Sequence, residues 1–263
     1  MKSKQSKIIY YSDELNDDFA GVQRINYQIP GNYKFTHKNA FWNVLAFIVY
    51  RIIMTPIAFM YCKIKLRSKI IDNTAKPLKA TKGCFLYANH TLLIGDAFIP
   101  SLVMFPKRVY VVVNPENLAT KGTRNFLQMS GAIPTAKSLA AFKNFIKTIK
   151  QRISEGYCVT IYPEAHVWPY YKGIRPYPST SFRFPVDTNA PIYVSTATFQ
   201  KQRFFATPKV TVYLDGPFYP NTALSSKDAE KELRNKAFET MCTRAKNSTY
   251  SPVEYRKRDK KEK

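Results

Sequence analysis

Of the three histidines in this 263-residue chain, His37, His90 and His166, His90 stands where an imidazole can do chemistry. It follows the apolar run Cys84-Phe85-Leu86-Tyr87-Ala88 and Asn89, and a carboxylate, Asp96, arrives after Gly95. At the end of a strand, a histidine can take the proton of an attacking hydroxyl. It needs a nearby carboxylate to fix its tautomer and steady the imidazolium. The same residues also fit a histidine that only satisfies local backbone groups. A second loop follows Cys158-Val159-Thr160-Ile161-Tyr162 and opens with Pro163 and Glu164. Its glutamate can accept hydrogen bonds from hydroxyls of a bound molecule, or orient a neighbouring loop. Tyr170, Tyr171, Lys172 and Arg175 then gather rings and cations where a phosphate or an acyl chain could lie. A solvated basic loop has the same composition.

Such residues need a scaffold that brings strand ends together. The runs 84–88, 108–113, 158–162, 191–197 and 209–214 are short and rich in β-branched and aromatic residues, so they read as strands. Between them Leu139, Phe142, Ile146, Ile149 and Ile153 recur at helical spacing up to Gly156. Ser225 and Asp228 form a capping box ahead of Leu233, Ala237 and Met241. Strands alternating with helices predict an α/β fold: a mostly parallel central sheet flanked by helices, with ligands at the carboxyl ends of the strands. The expected organisation is a polar N-terminal extension (1–38), a membrane-associated helical segment (39–70), a catalytic domain (71–247) and a basic disordered tail (248–263).

Charge and cysteines narrow the partners. Lys and Arg outnumber Asp and Glu by 41 to 18, a formal +23, which favours an anionic partner. No zinc-finger spacing or Gly-rich RNA-binding signature is present, so no nucleic acid is expected. The four cysteines lie apart, without a CxxC pair, as suits reduced thiols and a catalytic domain on the cytoplasmic face. Residues 41–61 carry one charge, Arg51, and one proline, Pro56, between basic flanks. Three placements fit: a kinked helical pair lying in one leaflet, a true span, or a buried soluble helix. Arg51 weighs against a span, at about 2.5–3.5 kcal/mol in mid-membrane.

Four blocks, Asn89-His90 with Asp96, Gly131 with Lys137, Tyr162-Pro163-Glu164 and Ala190-Pro191-Ile192, occur in an order that resembles the glycerolipid acyltransferases. These are the lysophosphatidic acid and glycerol-3-phosphate acyltransferase superfamily, and the likeness covers roughly residues 40–245. The resemblance implies His90 as general base with Asp96 as its orienting partner, and Asn89 beside them. It implies substrate contacts from Lys137, which stands where the pattern has arginine, and from Glu164. Lys172 or Arg175 would replace the arginine the third block lacks here. Five residues rather than four separate His90 from Asp96, and Gly95 is expected to absorb the extra one at a positive φ. Ala165, His166 and Val167 stand where the pattern has Gly-Thr-Arg. The family's activity would move a fatty acyl group from acyl-CoA or an acyl carrier protein to a hydroxyl of a lysophospholipid-like or glycerol-phosphate-like acceptor at a membrane lipid surface. No metal or resident cofactor is implied. Backbone amides at the start of the helix after Asp96 are expected to form the oxyanion hole. Two other readings fit the altered blocks: a non-catalytic lipid-binding scaffold on the same fold, or an acceptor that is a glycan, a polyprenyl lipid or a peptide amine.

Overall fold

The apolar runs become strands because β-branched and aromatic side chains pack well on a pleated surface that is covered on both faces. The computed structural model describes residues 7–21, 26–75, 81–205 and 207–258. Along the chain come β1 (Lys7–Tyr11), α1 (Ala40–Phe47), α2 (Thr55–Met60), β2 (Lys69–Thr74), β3 (Cys84–Ala88), α3 (Gly95–Val103) and β4 (Val109–Val113). Next are α4 (Arg124–Met129), β5 (Ala132–Pro134), α5 (Leu139–Ser154), β6 (Cys158–Ile161) and α6 (Arg183–Thr188). The last elements are β7 (Ile192–Gln200), β8 (Lys209–Phe218), α7 (Ser226–Ala245) and β9 (Val253–Lys257). Seven strands form one sheet in the order β2-β8-β7-β3-β6-β4-β5. Neighbours are parallel except β7 and β8, which form an antiparallel pair.

Period-two alternation divides the core. Phe85 and Tyr87 face one side with Val159, Ile161, Ile192 and Val194, under α5 and α7. Cys84 and Leu86 face the other with Cys158, Tyr193 and Val212, under α3 and the apolar helix. All four cysteines are free, as expected of reduced thiols. α7 buries Ala229, Leu233, Ala237, Met241 and Ala245, the face anticipated, and Ser225 caps it by accepting the Asp228 amide at 3.3 Å. In α5 the buried face is rotated from the expected one. The sheet takes Ala141, Phe145, Ile149 and Ile153, which run along one i, i+4 row. Leu139 and Phe142 are left exposed.

From Ala40 to Lys65 the chain is one helix of 26 residues, long and apolar enough to cross a membrane, and not the helical pair expected from Pro56. A π-helical stretch, Ile48–Met54, precedes Pro56, so the Thr55 amide reaches back to the Tyr50 carbonyl. The wider turn makes room for a ring that an α-helical turn would exclude. One face of this helix packs on the body through Ala46, Tyr50, Ala58 and Cys62. The other exposes Phe41, Val44, Ile52, Met60 and Ile64. Arg51 does not stand free in the apolar face, since it donates to the Pro106 carbonyl at 2.7 Å and lies over the Phe105 ring.

Both ends of the chain depart from expectation. Val253–Lys257, read as disordered tail, is a strand paired in parallel with Lys7–Tyr11 of the extension. β9, Val-Glu-Tyr-Arg-Lys, has no apolar run of its own, so it is held by its partner strand and by the contacts of Tyr255 with Trp168. Residues 1–6, 22–25 and 259–263, parts of the predicted extension and tail, lie outside the described residues.

Gly83, just before β3, tests the packing of α5 on the sheet. A Cβ built there would fall 1.9 Å from the Ile153 carbonyl oxygen, so Gly83→Ala must displace the last turn of α5. The expected loss is about 3 kcal/mol, read as a shift in the denaturation midpoint; an unchanged midpoint would reject this close contact.

Candidate active site

Parallel strands place their carboxyl ends along one edge, and β3, in the middle of the sheet, delivers Asn89 and His90 there. Asn89 extends the ladder with its side chain. Its Nδ2 donates to the Ala197 carbonyl at 3.0 Å and its Oδ1 accepts the Ala197 amide at 2.8 Å, which ties the strand end to β7. Both polar groups of Asn89 are thus committed to backbone, so it positions the loop and does not reach toward a substrate.

His90 Nδ1 lies 2.7 Å from Asp96 Oδ2. The same oxygen accepts the Leu92 amide at 2.9 Å, so the carboxylate is held from two directions. Burial pushes the Asp96 carboxyl above its ordinary range, and the imidazole and the Leu92 and Thr91 amides pull it back down. The extra residue between the two is absorbed by the turn at Leu92–Ile94. Gly95 sits in the first turn of α3 with no positive φ, contrary to expectation. Its lack of a side chain matters for space instead, because a Cβ there would lie 2.9 Å from the Leu92 Cβ. The oxyanion expectation also changes. α3 begins at Gly95, and the Asp96 and Ala97 amides already donate to the Leu92 and Ile94 carbonyls.

Tyr162, at the end of β6, lies under the imidazole. The rings stack with centroids 4.4 Å apart and 24° between planes, and the Tyr162 hydroxyl donates to the Asp96 carbonyl. One side chain thus touches both members of the pair. The sequence offered a signal for this, an aromatic residue ending a buried strand beside the His90 strand, but no role was drawn from it. Two backbone bonds join the loops after β3 and β6: Trp168 N–H to the His90 carbonyl at 3.1 Å, and Tyr170 N–H to the Thr91 carbonyl at 2.9 Å.

Glu164 and Arg175 face inward. Arg175 is 1% exposed and Glu164 4%; their Nη2 and Oε2 are 3.3 Å apart. Arg175 also donates to the carbonyls of Glu14, Glu164 and His166 and lies over the Trp168 ring. Enclosed in this way, Arg175 holds the loop and cannot receive a phosphate from solvent, which corrects the role expected of it. Glu164 orients the same loop, the second of its two anticipated roles. Ala165, standing where the family pattern has glycine, adopts φ 63°, a left-handed value that explains why glycine suits the position. Lys172 is exposed on this loop, and Lys137 is exposed just beyond β5. β5 is three strands from β3, which puts Lys137 on the same edge as His90 but roughly 14 Å to the side.

The chain ends wrap the third block. Trp168 Nε1 donates to the Asp17 carbonyl at 2.8 Å, and the Phe19 amide to the Val167 carbonyl at 3.1 Å. Tyr255 stacks on Trp168 with centroids 4.8 Å apart, and its hydroxyl donates to the Pro169 carbonyl. An N-terminal extension lying over the domain was expected, but no contact of the C-terminal segment was; the rings Tyr11, Phe19 and Tyr255 were the available sign.

Residues 69–196 match the family model described as Acyltransferase. The fold is similar to that of the 1-acyl-sn-glycerophosphate (LPA) acyltransferase PlsC from Thermotoga maritima. The TM-score is 0.55 and the identity 15%, over 82% of this chain and 87% of that one. No curated protein matches significantly.

Glu164 makes stability depend on pH. Burial pushes its carboxyl from 4.5 up to about 7, against the opposing pull of Arg175. Between those values the folded chain keeps a proton that the unfolded chain releases. The stabilisation is therefore complete below pH 4.5 and lost as pH rises through 7, by an amount on the order of 3 kcal/mol. Denaturant titrations across this window should show the decline in the native chain and a flatter profile in Glu164→Gln; parallel profiles would contradict it.

Proposed function

We propose that this chain, whose residues 69–196 match the Acyltransferase family model, is a membrane-associated O-acyltransferase with His90 as general base and Asp96 as its orienting partner. The single observation that carries the reading is the 2.7 Å contact between His90 Nδ1 and a buried Asp96, at the strand edge where ligands gather. With Nδ1 engaged by the carboxylate, Nε2 is the nitrogen left to receive a proton.

The acceptor hydroxyl attacks the carbonyl carbon of an acyl thioester, from acyl-CoA or an acyl carrier protein. Its proton passes to His90, a C–O bond forms and the C–S bond breaks. His90 then returns the proton to the departing thiolate. No covalent enzyme intermediate and no metal or resident cofactor is needed, because the thioester supplies the activated acyl group. Asp96 stabilises the imidazolium between the two transfers.

Membrane association rests on the exposed face of the Ala40–Lys65 helix. That helix is packed along the body on its other side, an arrangement suited to lying in one leaflet at the cytoplasmic face. Leu93 and Ile94, in the turn between His90 and Asp96, are also exposed, at 53% and 55%. The helix leans on α3 through the edge-to-face pair Tyr61–Phe98, so its apolar surface lies beside the catalytic turn. A lipid acceptor with one free hydroxyl, of the lysophospholipid or glycerol-phosphate kind, would meet His90 from that side. With Arg175 enclosed, the exposed cations at this edge include Lys137 and Lys172, which suit a headgroup held at its periphery.

His90→Ala should lower turnover about a thousandfold while flotation with lipid vesicles persists. The readout is thiol release from acyl-CoA, run with lysophospholipid, glycerol 3-phosphate, polyprenyl alcohol and glycan acceptors. Near-native turnover in the variant would end the mechanism, and a folded native chain silent with every acceptor would favour the scaffold reading. Lys137→Ala should raise KM for a phosphorylated acceptor more than it lowers kcat, and an unchanged KM would remove Lys137 from the site.

A further inference from the structure

A second constellation lies at the opposite edge of the sheet. A cavity of about 540 Å³ is bounded by the start of α1, the amino ends of β4 and β5, and the last turn of α5. β4 and β6 run four to five residues from that edge to the catalytic one, so the cavity is roughly 15 Å from His90. It is not part of the acyl-transfer site.

Its walls carry an excess of positive charge. The guanidiniums of Arg108 and Arg152 both lie against the ring of Tyr110, 5.0 and 4.6 Å from its centroid. Arg152 has a carboxylate partner, Glu155, at 2.7 Å. Among the described residues, Arg108 and Lys38 have none; Arg108 gives its Nη2 to the Met129 carbonyl. The Nε atoms of both arginines are buried without a hydrogen-bond acceptor. Two cations sharing one ring repel each other, and buried N–H donors left unmet cost free energy. An anion in the cavity would offset that repulsion, and guanidinium groups suit phosphate geometry in particular.

The remaining wall is apolar and leads to the exposed helix face. Trp42, stacked on His37 with centroids 3.9 Å apart, and Phe47, 55% exposed, line the cavity from α1. Phe41, Val44 and Ile48 are exposed on the adjoining face of the same helix. A ligand with a phosphate and an apolar tail would set its phosphate between Lys38, Arg108 and Arg152 and lay its tail past Phe47.

We propose that this cavity is a second binding site, for a phosphate ester, separate from the acyl-transfer site. Two sources share that chemistry: an anionic phospholipid headgroup, and a small soluble phosphate. Titration of the full chain in detergent with dioctanoyl phosphatidic acid, glycerol 3-phosphate and inorganic phosphate, followed by Trp42 emission and native mass spectrometry, separates them. The expected result is saturable binding of one molecule per chain beyond any held at the acyl-transfer edge. Binding of the phosphatidic acid alone assigns the site to a lipid headgroup, and comparable binding of glycerol 3-phosphate or phosphate assigns it to a soluble ester.

Arg108→Gln should weaken binding at least tenfold. Because Arg108 also packs on Tyr50 and Tyr110, a second variant is needed: Asn43→Trp, at an exposed position on the cavity wall, fills the space without removing a charge. It should remove binding at this cavity while thiol release from acyl-CoA stays at the native level. Native-like affinity in Asn43→Trp and Arg108→Gln, or no binding of any of the three probes to the native chain, would overturn the proposal. Absence of acyl transfer in the native chain would count against the function assigned to His90 and leave this binding result standing.

Discussion

A buried carboxylate held against one edge of an imidazole is the constraint around which the carboxyl edge of the sheet is arranged. Removing Asp96 from water is costly, and the cost is met by His90 Nδ1 and the Leu92 amide on the same oxygen. Both donors depend on the tight turn from β3 into α3, which leaves no room for a side chain at Gly95. Tyr162 completes the arrangement from β6 by stacking on His90 and bonding to the Asp96 carbonyl. Three elements thereby leave the imidazole few rotamers, and a base with few rotamers loses little entropy when a substrate arrives.

The next layer is a loop that would not hold its shape alone. The segment after β6 contains two non-glycine residues at positive φ, Ala165 and Tyr170, and a buried ion pair. Neither feature is favourable in isolation: positive φ strains an L-residue, and a buried ion pair gains little over apolar packing. What they secure is one conformation. Arg175 draws three carbonyls and one carboxylate to a single guanidinium, while β1, β9 and their aromatic rings cover Trp168. The ends of the chain thus act as part of the site's support.

The two edges of the sheet have different characters. The carboxyl edge holds the His90–Asp96 pair next to exposed Leu93 and Ile94, and the amino edge holds a cationic cavity next to Phe47. The apolar helix from Ala40 to Lys65 runs past both. A helix with one face packed on the body and the other exposed is a natural meeting surface with a lipid leaflet. It would bring the acyl-transfer edge and the cationic cavity to the same lipid layer.

Much of this was legible in the chain because it is local. Strands such as Cys84–Ala88 announce themselves by β-branched and aromatic runs, the cap at Ser225 by its spacing to Asp228, and the His90–Asp96 pair by proximity across one turn. Even the inserted residue did not conceal the pair, since a turn can absorb it. Other properties depend on partners far away in sequence. Arg175 looks like a phosphate ligand until Glu14, Glu164 and Trp168 enclose it, and Val253–Lys257 looks like a charged tail until it meets Lys7–Tyr11. Which stripe of α5 is buried was decided by the sheet, because a helix with apolar residues on more than one row turns the best-fitting row inward. Local pattern therefore determined the strands, the caps and the meeting of His90 with Asp96. Burial, and with it the distinction between a cation that binds and one that braces, depends on which distant segments come together, and only the tertiary structure could decide that.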